Sequence, residues 1–257
     1  MKNRALGLVI PTVVIFAWYL ITDVFGTESY LMPGFVMTIK YFMDFVFGCY
    51  SITIYSGDFI SNIMASIARV FMGFGLASAL GISLGFITGR VKLLRLLTEP
   101  LINAIRTVPG IGWLPIFMVW FGIGETLTVL LIALAAFFPI YLNTLYGILE
   151  TPKEYIMAAQ MLGANHYKIN TTVIFPWAFP SVMTGLRLGL GVSWAYLVLG
   201  ELTGINLGIG AVMMDSRITG QTEMIIVTMV VISLMGFISD KLLKLMGKRI
   251  LNYDEKR

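Results

Sequence analysis

Apolar side chains run through this chain in long blocks separated by short polar stretches. Six blocks approach the roughly 20 mainly apolar residues that a helix needs to cross a bilayer. They lie at about residues 6–22, 60–88, 101–121, 127–148, 178–199 and 224–245. The pattern predicts an all-α, polytopic membrane protein with about six transmembrane helices. Residues 1–59 read as an N-terminal helix plus an external segment, 60–245 as the membrane core, and 246–257 as a tail. The piece from 33 to 47 is amphipathic enough for a short helix on the outer surface, with a plain interfacial connector as the alternative. Lys2 and Arg4 before the first block imitate a signal peptide. The flank Thr22-Asp23-Val24-Phe25-Gly26 has no small-residue cleavage pattern, so a retained helix is expected.

Composition narrows the class further. Of 257 residues, 58% are hydrophobic and 12% charged, against about 45–50% and about 25% in soluble proteins. One soluble core of this length has no room for so many apolar side chains. A soluble enzyme, a disordered chain and a nucleic-acid-binding domain are excluded. The net charge of +4 is explained by where the cations fall. With the N-terminus inside, thirteen of the 18 Lys and Arg lie in cytoplasmic segments and two, Lys40 and Arg217, in external ones. Arg69, Arg106 and Arg187 lie within blocks. Cytoplasmic loops are enriched in Lys and Arg, so both termini are expected in the cytoplasm. One cysteine, Cys49, and one histidine, His166, make neither an internal disulfide nor a structural zinc site. No metal is expected.

Inside the blocks, Gly73, Ala77, Gly81, Gly85 and Gly89 recur every fourth residue, and Gly185, Gly189 and Ser193 repeat the pattern. Such faces let helices approach closely in lipid. This implies either static packing or a core able to shift between two arrangements. Thr107-Val108-Pro109-Gly110 and Leu114-Pro115 interrupt the third block. Irregular backbone at membrane depth must be satisfied by protein or by a water-filled cavity, which favours a pathway-lining segment. Charge within a span is costly and often functional. Arg106 and Arg187 are therefore candidates for a cationic lining, with snorkelling and an interhelical contact as the alternatives. Asn103, Trp113, Ser193, Trp194, Glu201 and Thr203 complete the candidate pathway set; core packing or an interfacial position is the other reading of each. His166 reads as a surface or docking residue.

The polar stretch at 150–176 holds the most specific pattern. Pro152 opens a helix with Glu154 in its first turn, both favourable there, and Gly163 is placed to stop it in a left-handed conformation. A second short helix is expected at about 165–172. Ala158-Ala159, three residues, Gly163, nine residues, then Val173-Ile174-Phe175-Pro176 resembles the cytoplasmic loop of bacterial ABC importer permease subunits. That loop has the form Glu-Ala-Ala, three residues, Gly, nine residues, Ile-x-Leu-Pro. Met157 stands where the family has Glu, Phe175 where it has Leu and Val173 where it has Ile. Ser66-Ile67-Ala68-Arg69, Arg106-Thr107-Val108-Pro109, Trp120-Phe121-Gly122-Ile123-Gly124-Glu125, Phe138-Pro139-Ile140-Tyr141-Leu142-Asn143-Thr144 and Pro180-Ser181-Val182-Met183-Thr184-Gly185-Leu186-Arg187 extend the resemblance over residues 60–240. The chain looks most like the subgroup that imports aliphatic sulfonates, taurine and nitrate.

The resemblance implies a type I ABC importer permease fold in a bacterial inner membrane. It implies a second permease copy, two cytoplasmic ATPase subunits and an external solute-binding protein as partners. Glu154, Met157, Ala158, Ala159, Gly163, Ala164 and Pro176 are then the expected residues of ATPase coupling. The phosphate-binding motif G-x-x-x-x-G-K-[ST] is absent. The chain is thus expected to be no enzyme and to hold no cofactor, ATP being bound by its partners. A sulfonate, taurine or similar small anion is the first expectation for cargo; nitrate, bicarbonate and vitamin precursors stay open. Two other classes are weighed on residues alone. An ion-coupled secondary transporter would want inverted repeats and acids at mid-span. A membrane enzyme would want clustered His, Asp, Glu or Cys at one aqueous face. Neither pattern is evident.

Overall fold

The computed structural model describes the backbone of residues 2–26 and 32–251, and the side chains of 9–26 and 32–249. The described residues are all-α. In chain order the helices are α1 (Lys2–Tyr19), α2 (Phe35–Phe47), α3 (Phe59–Arg90), α4 (Lys92–Thr107), α5 (Leu114–Phe121), α6 (Glu125–Leu149), α7 (Lys153–Met161), α8 (His166–Ile169), α9 (Phe175–Glu201), α10 (Ile209–Ile218) and α11 (Thr222–Leu251). Residues 252–257 of the expected tail lie outside the described residues.

Among the described residues, four helical runs are long and apolar enough to span a membrane: α3, α6, the run from His166 through α9 to Glu201, and α11. The bent pair α4 and Gly110–Phe121 is a fifth, and Val9–Val24 is a shorter apolar helix. The third block is therefore not the single helix that its hydropathy suggests. It is two helices meeting at 91°. Pro109 supplies the cause: it has no N–H to continue the ladder, and it forces the residue before it out of the helical region. Val108 is accordingly extended, at φ −70° and ψ 119°. The first helix of the pair begins nine residues before the apolar block and takes in Lys92 and Arg95.

The chain forms two compact units, residues 1–66 with 206–233, and residues 67–205 with 234–257. In the first unit, Asp44 organises the segment after α2. Its buried carboxylate accepts from the N–H groups of Tyr50, Ser51, Ile52 and Thr53 and from the Ser56 hydroxyl. Burial pushes its pKa up, but these donors outweigh burial and hold it below the ordinary carboxylate value. The Tyr55 hydroxyl donates to Asp215 of α10. Burial and that carboxylate push the phenol up to about 12. The N-terminus of α10 is closed from the side, Gly208 N–H donating to Asn62 and Ile209 N–H to Ser66.

In the second unit, α3 and α6 run parallel in one register. A Cβ added at Gly73, Gly81, Gly85 or Gly89 would lie 2.6 to 2.9 Å from Ile132, Ile140, Thr144 or Ile148 respectively. The partner number is higher by the same 59 residues each time. The antiparallel pair α6–α9 is built likewise, with Gly147 against Ser181, Gly185 against Asn143, Gly189 against Ile140 and Gly200 against Thr128. Ala77, Ala136 and Ile140 form the buried centre, covered by Phe74, Ile82, Phe137 and Leu186.

Candidate functional site

The segment after α6 is a short helix held on one face and bare on the other. Pro152 precedes α7 in an extended conformation, and Glu154 sits in its first turn. At its end Gly163 adopts φ +76°. Its N–H donates to Gln160 O at 2.9 Å, and Ala164 N–H reaches back to Ala159 O at 3.0 Å. This pair of bonds closes the helix with a left-handed glycine. Asn165 then caps α8, its side chain accepting from Lys168 N–H at 2.8 Å. The helix expected at 165–172 is one turn of α-helix followed by a wider turn, Asn170–Ile174, that continues into α9.

Ile156, Ala159 and Ala164 pack onto a buried cluster of Ile148, Ile169, Ile174 and Ala178. Away from that cluster the segment exposes Tyr155, Met157, Met161 and Leu162, and Tyr167 of α8, with Met161 at 88% and Leu162 at 87%. Glu154, Ala158 and Gly163 are exposed as well. A groove of about 520 Å³ runs beside the helix, lined by Ala158, Ala159, Leu162, Thr172, Pro176 and Trp177 among others. Six of the seven residues expected from the motif thus sit on or beside one accessible helix. Pro176, half-buried, lines the groove from the start of α9. Met157, at the departure from the family pattern, is part of the exposed apolar face.

The candidate pathway residues separate. Arg106, itself exposed, and Trp113 line an open cavity of about 420 Å³ at the bend between α4 and α5, together with Phe138, Pro139, Val192 and Tyr196. Gly110 is required there, because a Cβ would fall 1.9 Å from the Tyr196 hydroxyl oxygen. Asn103 is half-buried on α4. Arg187 lies elsewhere, donating from Nε and Nη2 to the two oxygens of Asp240 at 2.8 and 3.0 Å.

Ser193, Trp194 and Glu201 are buried and bonded within the unit. Ser193 donates to Gly189 O of its own helix and Trp194 Nε1 to Ser239 Oγ. Thr203 donates to Gly200 O. Glu201, 0% exposed, accepts from Arg69 Nη1 at 2.7 Å, while Arg69 Nη2 reaches Glu125 at 3.0 Å. A buried charge of this kind is held only because it is paired. Arg69 is the functional candidate that sequence reasoning left as an interruption in a span. Its signal was the charge itself, since a cation among apolar residues demands a partner. His166 stands exposed in α8.

Comparison with known proteins follows the same outline. The family described as "binding-protein-dependent transport system inner membrane component" matches residues 77–252. The putative aliphatic sulfonates transport permease protein SsuC of Bacillus subtilis is 32% identical over 247 residues, covering 96% of this chain and 87% of that protein. The taurine transport system permease protein TauC of Escherichia coli is 34% identical over 189 residues, 74% of this chain and 69% of that protein. A crystal structure of an amino acid ABC transporter with histidines superposes with a TM-score of 0.63 at 19% identity, over 83% of this chain and 97% of that one. At that identity the likeness speaks for the fold: the α-helical architecture is that of ABC importer permeases.

Proposed function

The chain belongs to the family of binding-protein-dependent transport system inner membrane components, and from that premise we propose how this ABC importer permease is coupled and what it carries. It is a membrane transport component rather than a catalyst. In our reading a pair of these chains forms the pathway, two cytoplasmic ATPase subunits drive it, and an external binding protein loads it. ATP is bound and hydrolysed by the ATPase subunits. Both termini and the 150–176 segment face the cytoplasm, as the cation distribution requires.

The observation that carries this reading is the divided surface of α7. Its inner face is fixed to a buried isoleucine cluster, and its outer face presents large apolar side chains to solvent. A helix anchored on one side that shows apolar side chains to water suits insertion into a groove of a partner. ATP-driven closure of the ATPase pair would move two such helices. The membrane core would follow, because the states bind ATP and the loaded binding protein with different affinities.

For cargo we propose a small organic anion of the sulfonate or taurine kind. The cavity that holds Arg106 is otherwise walled by apolar and aromatic side chains. One guanidinium at the edge of an open apolar pocket suits a single anionic group carried on a small carbon frame. Co-expression with candidate ATPase and binding-protein subunits, followed by ATPase assays in lipid discs, tests the reading. The expected result is a complex with two permeases and two ATPases whose hydrolysis is stimulated by one binding protein loaded with a sulfonate. A chain that recruits no ATPase and transports on an ion gradient would instead be an ion-coupled carrier.

A further inference from the structure

The faces of α4 are turned the opposite way from those of a helix on a soluble protein. Lys92, Arg95, Glu99, Asn103 and Arg106 recur at intervals of three or four residues, which puts them on one face. Leu93, Leu96, Leu97 and Leu101 lie on the other, 59 to 66% exposed, whereas Arg95, Glu99 and Asn103 are half-buried. No residue of α4 is buried. In a bilayer the leucine face suits lipid, and ionisable groups of a span face the protein interior or a water-filled cavity. Among the described residues, no ion pair or hydrogen bond engages the side chain of Lys92, Arg95, Glu99 or Arg106. Charges without a protein partner need water. The stripe covers about 21 Å of helix at about 1.5 Å per residue, and its last member, Arg106, lines the cavity at the bend.

We propose that the polar face of α4 walls a water-filled exit, along which a small anion passes from the Arg106 cavity to the cytoplasm. Arg95 and Lys92 draw the anion on, and Glu99 is the brake between them and Arg106. The inference rests on the reading that the Arg106 cavity takes an anionic cargo. Its physical basis is the order of charges along the helix. A cleft lined mostly by one sign of charge, with low-dielectric walls, concentrates ions of the other sign. A route made of cations alone would hold the anion too well, because transfer needs binding weak enough for release. A single acid one to two turns from Arg106 weakens that hold without reversing the sign of the stripe. Arg95 and Glu99 thus become determinants of charge selectivity, a role that their place before the third apolar block did not suggest.

The test uses the full chain in phosphatidylcholine discs, in a Cys49→Ser background. Asn103→Cys puts one thiol on the stripe between Glu99 and Arg106, and Leu97→Cys puts one on the leucine face. Two methanethiosulfonate reagents of equal length serve as probes, one ending in a sulfonate and one in a trimethylammonium group. At Asn103→Cys the sulfonate reagent should react about tenfold faster than the cationic one, after correction for their rates with free cysteine. Leu97→Cys, facing lipid, should react slowly with both. Adding Arg95→Gln should lower the preference at position 103 about threefold, and adding Glu99→Gln should raise it about threefold. In about 1 M salt, where screening acts within about 3 Å, the preference should persist in an enclosed route and vanish on an open surface. Equal rates at position 103, a preference lost in salt, or a Leu97→Cys as reactive as Asn103→Cys overturns the proposal. So does a shift in the same direction from Arg95→Gln and Glu99→Gln, which is what two residues that merely brace the helix would give. The cargo reading fails separately, if a sulfonate-loaded binding protein leaves hydrolysis by the assembled complex unstimulated while the thiol pattern holds.

Discussion

Gly163 meets a conformational demand and an exposure demand at one position. Its φ of +76° is a region that side chains other than Asn and Asp seldom enter. Yet a Cβ there would touch nothing within 4 Å. Gly163→Asp should therefore leave the chain's own packing intact while placing a charged carboxylate on the exposed turn. The expected outcome is wild-type abundance in the membrane with solute uptake reduced at least tenfold; normal uptake would remove the proposed ATPase contact. The role of Gly163 as a helix stop was legible in its position after the helix that Pro152 opens. Glu201 was not legible in the same way. It ends an apolar span, where an acid meeting water is the ordinary reading. Its partner Arg69 lies 132 positions away, and no local pattern connects two residues so distant. Arg187 and Asp240, 53 positions apart, pose the same difficulty. A charge in a span announces that a partner exists, and only the helix packing says which.

At the level of helices, the small-residue stripe on α3 was visible as a four-residue period, and the structure supplies its mate. The constant offset between α3 and α6 means that one turn of either helix can be displaced only by displacing the others. Gly85→Leu would drive a side chain into Thr144 Cβ, 2.8 Å from the added Cβ, and Tyr141 O, at 2.9 Å. Overpacking of this kind costs about 1–3 kcal/mol. The thermal midpoint of the purified chain should fall by several degrees. Gly75→Leu, where nothing lies within 4 Å, should leave that midpoint unchanged, although both glycines sit in the same helix. The third apolar block shows the opposite balance. Hydropathy sums along the sequence and is blind to direction, so a stretch turning through 91° reads the same as a straight one. Pro109 and Gly110 marked where the turn falls. That Tyr196 of α9 would then occupy the space beside Gly110, making a cavity around Arg106, depends on a helix more than eighty residues away.

For the whole molecule the first question is which side of the membrane each segment faces. Cys49 is an exposed thiol in a segment the cation distribution places outside. A membrane-impermeant maleimide should label it in right-side-out vesicles. In a Cys49→Ser background, Asn165→Cys beside α7 should be labelled only after permeabilisation. The reverse pattern would invert the orientation and remove α7 from any cytoplasmic ATPase. What the sequence determined by itself was the class of molecule: a membrane-embedded helical chain, four of its apolar spans, and the loop pattern at 150–176 that resembles that of ABC importer permeases. Those follow from residue type and local spacing, because a bilayer selects for apolar length and a capped helix needs its proline and glycine at set positions. What only the tertiary structure decided was which polar groups meet. It paired Arg69 with Glu201 and Arg187 with Asp240, and left one face of α7 bare. Burial and ion pairing depend on distances between segments far apart in the chain, and such distances are set by helix packing rather than by any local pattern.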